Sequence, residues 1–380
     1  MPFTRFIGNA VCVLTLAVPV AFAGVTSAFA VGSRPQPAPS FNGSVYAIAQ
    51  RGSTVYVGGS FTSATAGGRS YPRLRLAAFD AHTGALLNWA PAADRTVRAL
   101  AVSGTAVYAG GDFGTISGVR RDNLARLDAA TGAVGSFAHR VSGAPYALTT
   151  GNGRLYAGGS FTAVDGFRRD NLAAFSLGGD MLDAGWRPRA DDAVHALTAY
   201  RSKVFLGGGF HTVNEVRGSL RIAAVDGARG SVDRGFLPGA PAEVNAIAVD
   251  PAGVYAATGG QGGRAIAYAP GGSVRWQRLF DGDAVAIAAL DGVTYVGGHF
   301  DRACLTLTNG PQGTCIGGSV PRVKLAAVHR GGGLTTWSPQ ANGVIGVRVL
   351  SVDPSRGAIA AGGDFTMING EIRRRYAVFS

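Results

Sequence analysis

The side chains of this chain that could do chemistry are six histidines, a cysteine pair and a large excess of arginine, and their spacing limits what that chemistry can be. His82, His139, His195, His211, His299 and His329 stand at unrelated places along the chain and share no ligand spacing. Cys304 and Cys315, in CLTLTNGPQGTC, lack a second cysteine pair or a histidine at metal-ligand distance, so a local disulfide stapling one loop is expected, not a thiolate site. No G-x-S-x-G, HExxH or GxxxxGK[ST] occurs, and no GxGxxG opens a helix. The stretch VYVGGSFT (55–62) invites a phosphate-loop reading because a strand runs into paired glycines. That reading fails once the whole chain is considered.

The elements that must position any site are short strands. With 380 residues, 47% hydrophobic, 15% charged and 58 glycines, the chain can bury a large core and is rich in tight turns, which favours an all-β protein. The formal charge is +12, and all 35 basic residues except Lys203 and Lys324 are arginines, the side chain suited to bidentate contact with carboxylate, sulfate or phosphate. Residues 1–30 read as a secretory signal peptide: Arg5, an apolar run from Ala10 to Ala23, and Ala28-Phe29-Ala30 before a cleavage at Val31, with Ala21-Phe22-Ala23 as a second possible cut. No membrane span is expected, the apolar run being too short. Export makes an anionic cell-wall polymer, an acidic polysaccharide, lipid head groups or a surface protein a more natural partner than nucleic acid.

The glycine motif recurs. YVGGSFT at Tyr56 returns at Tyr108, Tyr156, Phe205, Tyr255, Tyr295 and Ala360, at intervals of 52, 48, 49, 50, 40 and 65 residues. Each copy carries four strand-like segments in fixed order, SVYAIAQ, TVYVGGSF, RLAAFDA and ALLNWAP in the first, with a D-x-x-T-G turn before the last segment in the first two copies. Four antiparallel strands per fifty residues are one propeller blade, so residues 31–380 are expected to form a single seven-bladed β-propeller. The last copy stops at its third segment, YAVFS, and the first mature residues align with a fourth. The N-terminus is therefore expected to supply the outer strand of the last blade and close the ring, as a monomer. Trp89, Trp186, Trp276 and Trp337, with Phe137 and Phe236 in two copies, share one fourth-strand position and are expected to pack between blades.

On these motifs, most cleanly YAGGDFGTISGVRRDNLARLDAATG and YAGGSFTAVDGFRRDNLAAF, the chain resembles the delta-60 repeat propellers of secreted bacterial proteins and the repeats of a fungal cortical marker of cell polarity. The resemblance covers about 31–380 and implies a surface or secreted propeller, with no common activity attached. Two copies depart from it. The fifth, YAATGGQGGRAIAY, shortens the loop after its second strand, and the sixth inserts the Cys304–Cys315 loop. Kelch propellers place glycines and tryptophan similarly, but the scattered histidines do not assemble the Tyr, His and Cys set of the copper oxidases on that scaffold, so neither metal nor cofactor is expected.

Positions that change from copy to copy are free to serve a ligand. In the first strand the pattern is V-x-A-[IL], with x read as Tyr46, Arg98, Tyr146, His195, Asn245, Ala286 and Arg348. The first strand should be innermost, which makes Tyr46, Arg98, Tyr146, His195, Asn245 and Arg348 candidate ligand-binding residues at the mouth of a central channel. A polar ring there also suits a merely wet channel. Loops on the same face carry Arg120, Arg121, Arg168, Arg169, Arg217, Arg373, Arg374 and Arg375, with Asp122 and Asp170 beside them and Asp94, Asp191, Asp192, Glu243, Asp281 and Asp283 nearby as potential partners. No catalytic residue is assigned. The expected role is a secreted or cell-surface binding or scaffold module, with an extracellular carbohydrate-active enzyme, a lyase or a quinone-dependent dehydrogenase, as the alternative; His195 with Tyr46 or Tyr146 would then be its acid–base set.

Overall fold

The computed structural model describes residues 31–380, and the signal peptide expected over 1–30 lies outside the described residues. The described chain is all-β, with one 3-10 turn at Pro311–Gly313 as its only helical segment. Each of the seven copies builds one antiparallel sheet from the three strands expected of it. In the first copy Val45–Arg51 pairs with Thr54–Gly59, which pairs in turn with Leu76–Asp80.

Period-two alternation explains how the sheets stack. From the first copy, Tyr56, Leu76 and Ala78 turn one way into a cluster with Val97, Val107 and Ala109 of the second copy. Val55, Val57, Ala77 and Phe79 turn the other way into a cluster with Ala358, Ala360 and Tyr376 of the last. The remaining clusters are likewise each shared by two copies adjacent in the chain. The second strand is thus buried on both faces, which is why it reads as an unbroken apolar run.

The paired glycines are spacers between and within these sheets. A Cβ at Gly58 would lie 2.7 Å from Val97 Cγ1 of the next copy, and one at Gly362 would lie 2.7 Å from Val45 Cγ1 of the first. The second glycine of the pair meets its own sheet: a Cβ at Gly59 would stand 2.0 Å from the Ser44 carbonyl oxygen. VYVGGSFT is scaffold.

The fourth strand is shorter than expected. Only the fifth copy forms one of any length, Val274–Leu279. In the first, second, third, fourth and sixth copies it shrinks to one bridge, such as Phe79 with Leu86 or Val225 with Val232. The cause is local. Pro91, Pro188, Pro238 and Pro339 follow within a few residues and remove a ladder donor, while Asp183 Oδ1 captures the amides of Gly185 and Trp186 for a turn. The fifth copy, VRWQRLF, has neither obstacle; the second, AVGSFAHR, has neither as well, and nothing local explains its short strand.

What the sequence suggests is a loop between strands two and three is in most copies a hairpin, for example Ser63–Ala66 with Arg69–Pro72. Its absence from the fifth copy leaves room that the sixth copy fills. There Cys304 and Cys315 form a disulfide, and the stapled loop lies against the fifth copy: Gln261 Nε2 donates to Gly310 O (3.2 Å) and Asn309 Nδ2 to Phe280 O (3.0 Å).

Candidate binding site

Every first strand carries the same irregularity. Val45 pairs with Gly59, Ala47 with Gly58, and Tyr46 is the extra residue of a β-bulge; Arg98, Tyr146, His195, Asn245 and Arg348 are bulged in the same way. A bulge bends the strand and re-aims one side chain. All six predicted residues consequently line one cavity of about 260 Å³, to which all seven first strands contribute. The sixth copy needs correction. Its register pairs Ala284 with Gly298 and Ala286 with Gly297, so the bulged residue is Val285, and Ala286 is a buried scaffold alanine equivalent to Ala47.

The lining is organised as a row of contacts. Arg98 is held against Asp112, with Nε 2.9 Å from both carboxylate oxygens, and its guanidinium carbon lies 5.6 Å from the centre of the Tyr146 ring. Tyr146 stacks on His195 at 5.4 Å with 5° between the planes, and His195 Nε2 is 2.6 Å from Glu243 Oε1. Immediately beside it the motif repeats: Arg348 lies 5.1 Å over Tyr46 and pairs with Asp364. Asn245 Nδ2 is spent on the Ala284 carbonyl (2.9 Å).

Two shifts follow from these partners. The hydrogen bond to Asp112 raises the Arg98 pKa, outweighing the effect of burial. Burial pushes the Asp364 carboxyl up, but hydrogen bonds from Arg348 and from the Ser44 hydroxyl outweigh it and hold the group below the usual carboxylate range.

Asp112 and Asp364 belong to the candidate site and are the members that reading the sequence missed, and a signal for them existed. The residue after the paired glycines is Ser60, Asp112, Ser160, Gly209, His299 and Asp364 in the copies that keep the motif, and Asp stands where the first strand carries Arg. Two variable positions thus change together within one chain.

The RRDN loops divide into scaffold and surface. Arg121 Nη2 donates to Gly135 O (2.5 Å) and Arg169 Nη2 to Asp183 O (3.3 Å), tying hairpin to outer segment, and Arg73 and Arg322 do the same in their copies. Asn123 and Asn171, both at positive φ, donate to the carbonyls of Val141 and Ala190. The first arginines stay exposed and pair with Asp122 and Asp170. Four of the other carboxylates named as partners do different work. Asp94, Asp191 and Asp281 each accept two backbone amides of the next hairpin, and Glu243 goes to His195. The tryptophans pack between sheets as expected: Trp89 Nε1 donates to Asp128 O (2.9 Å) and Trp186 Nε1 to Asp226 O (3.1 Å), each in the following copy.

No protein-family model matches the chain, and no curated protein matches it. Among solved structures it is similar to the WD40 β-propeller domain of Doa1, with a TM-score of 0.57, 12% identity, and coverage of 91% of this chain and 96% of that one. It is also similar to the computationally designed Ika8 protein, with a TM-score of 0.50, 15% identity, and coverage of 90% and 98%. At these identities the likeness concerns the fold alone, and the fold is a β-propeller.

Proposed function

We propose that the chain is a secreted or cell-surface binding module, a closed seven-bladed propeller of the delta-60 type, that recognises a glycan or cell-wall polymer at the cavity ringed by the bulged residues. Closure is supported by the two chain ends. Gly32 N donates to Ser380 O (3.2 Å) as Gly84 N does to Asp80 O (2.9 Å), so Gly32 takes the place of the turn glycine the last copy lacks. Trp337 Nε1 donates to Gly32 O (3.1 Å), and Gln36 N to Val378 O (2.8 Å). Export is supported by the intrachain disulfide, which suits an oxidising compartment. No helix among the described residues is long and apolar enough to cross a membrane.

The observation that carries the ligand class is the paired Arg–Asp–Tyr arrangement. Fixed guanidinium and carboxylate groups offer donors and acceptors side by side, which sugar hydroxyls need, and Tyr46 and Tyr146 offer ring faces for the apolar side of a pyranose. Each ring arginine already faces a carboxylate, so the mouth by itself suits neutral hydroxyls better than a polyanion. A screen of the mature protein against neutral and anionic wall polymers and glycans, repeated with Tyr146→Ala, tests this reading. Retention unaffected by the substitution would remove it. The enzymatic alternative rests on His195–Glu243 beside Tyr146, an arrangement able to pass a proton; product analysis in the same screen, with His195→Ala as control, decides it.

A further inference from the structure

Away from the channel mouth, the second and third copies carry the same feature at equivalent positions, a carboxylate between two exposed arginines; Glu371 of the last copy also meets two arginines, Arg34 and Arg373, but Arg373 is mostly covered. Asp122 is flanked by two arginines, Arg120 at 3.0 Å and Arg140 at 3.5 Å, and Asp170 by Arg168 at 2.9 Å and Arg189 at 3.2 Å. The guanidinium-bearing side chains are 75%, 74%, 73% and 53% exposed, whereas the two carboxylates are 24% and 22% exposed. One carboxylate between two guanidiniums leaves each clamp with an excess positive charge, and each arginine keeps N–H donors in the planar fork that fits oxyanions. The clamps open onto neighbouring clefts of about 600 and 430 Å³, and the consecutive residues Gly166 and Phe167 line one each. Val119 and Phe167 stand immediately before Arg120 and Arg168 and are 41% and 64% exposed.

The scaffold does not demand this arrangement. The first copy has Pro72-Arg73-Leu74 and Ala90-Pro91-Ala92 in its place, and the fourth has Gly218-Ser219-Leu220 and Leu237-Pro238-Gly239, yet both fold into the same three-stranded sheet. We propose that the two adjacent clamps, Arg120–Asp122–Arg140 and Arg168–Asp170–Arg189, form a binding site for a linear polyanion carrying carboxylate, sulfate or phosphate groups. Successive anions of one chain bridge the two clamps, and Phe167 between them offers an apolar contact. This site is separate from the channel mouth and does not depend on the reading given for it.

The test measures affinity of the mature protein for polygalacturonate, dextran sulfate and inorganic polyphosphate across a salt series, the three probes separating the sources of charge. Arg140→Ala with Arg189→Ala is expected to weaken binding to the preferred probe by about tenfold or more and to flatten its salt dependence. Asp122→Asn with Asp170→Asn is expected to tighten it, because only negative charge is removed; a purely structural role for the clamps predicts weaker or unchanged binding. Unchanged affinity in the folded arginine variant, tighter binding absent from the asparagine variant, or loss of polyanion binding on Arg98→Ala with Arg348→Ala alone would each overturn the proposal.

Discussion

The Arg348 guanidinium lies 2.7 Å from Asp364 Oδ2 and over the ring of Tyr46, and Arg98 repeats the arrangement with Asp112 and Tyr146. Each unit joins three elements: two first strands and the end of a second. The carboxylate therefore does more than neutralise charge, since it fixes the arginine where a ligand would meet it.

Asp364 makes this pairing pH-dependent. Its carboxyl is held below the usual carboxylate range in the folded protein, so its stabilising contribution is complete above the unfolded pKa of about 3.9 and is lost as pH falls through the lower folded value. Thermal unfolding followed from pH 7 to pH 3 is expected to show a melting temperature that falls below about pH 4. Asp364→Asn is expected to lower stability at pH 7 and to flatten that acid limb; an identical acid limb in the variant would show that Asp364 does not set it.

Closure by the N-terminal segment predicts that the chain ends can be exchanged. Three residues separate Asp80 from Gly84, so a three-residue turn joining Ser380 to Gly32, with new termini in the exposed loop at Gly67-Gly68, should give a folded circular permutant. Deleting residues 31–43 should instead strip Trp337 Nε1 of its acceptor and lower stability severely. A deletion variant that melts like the parent would refute closure.

The glycine spacers predict a clash with a remedy. Gly362→Ala places a methyl group against Val45 Cγ1 and Val349 Cγ1 and is expected to cost about 1–3 kcal/mol in chemical denaturation. Val45→Ala alone is expected to destabilise by opening a cavity, but the double variant should lose less than the sum of the two. Simple additivity would mean that the glycine is present for another reason.

The stapled loop predicts a localised response to reduction. Because the loop spanned by Cys304 and Cys315 covers the fifth copy through Gln261 and Asn309, reduction is expected to cost about 2–4 kcal/mol at most and to raise amide exchange around Gly263 and Phe280 first. Exchange rising uniformly over all copies would contradict a local role.

Much of the site was legible because the chain repeats itself. Comparing copies identified Tyr46, Arg98, Tyr146, His195, Asn245 and Arg348 as the variable residues of a constant strand, and they do line one cavity. Ala286 was misplaced, because Ala284-Val285-Ala286 alternates too uniformly for its register to be read without the strand it pairs with. Expected Arg–Asp pairing survived at Asp122 and Asp170 but not at Asp94, Asp191 or Asp281. A carboxylate near an arginine in sequence is equally able to accept backbone amides, and only the path of the next hairpin decides between them.

The sequence by itself determined the all-β class, the period of the repeat, the strand order within each copy, the tryptophans between sheets and the cysteine pair, because each is written in local pattern or in comparison of one copy with the next. Tertiary structure alone decided that the variable residue is a bulge, that Asp112 and Asp364 hold the arginines, and that the sixth copy's loop mends the fifth. These depend on how a residue meets a partner 14 to 50 positions away or in the neighbouring sheet, and hydrogen bonds of that range leave no period in the chain.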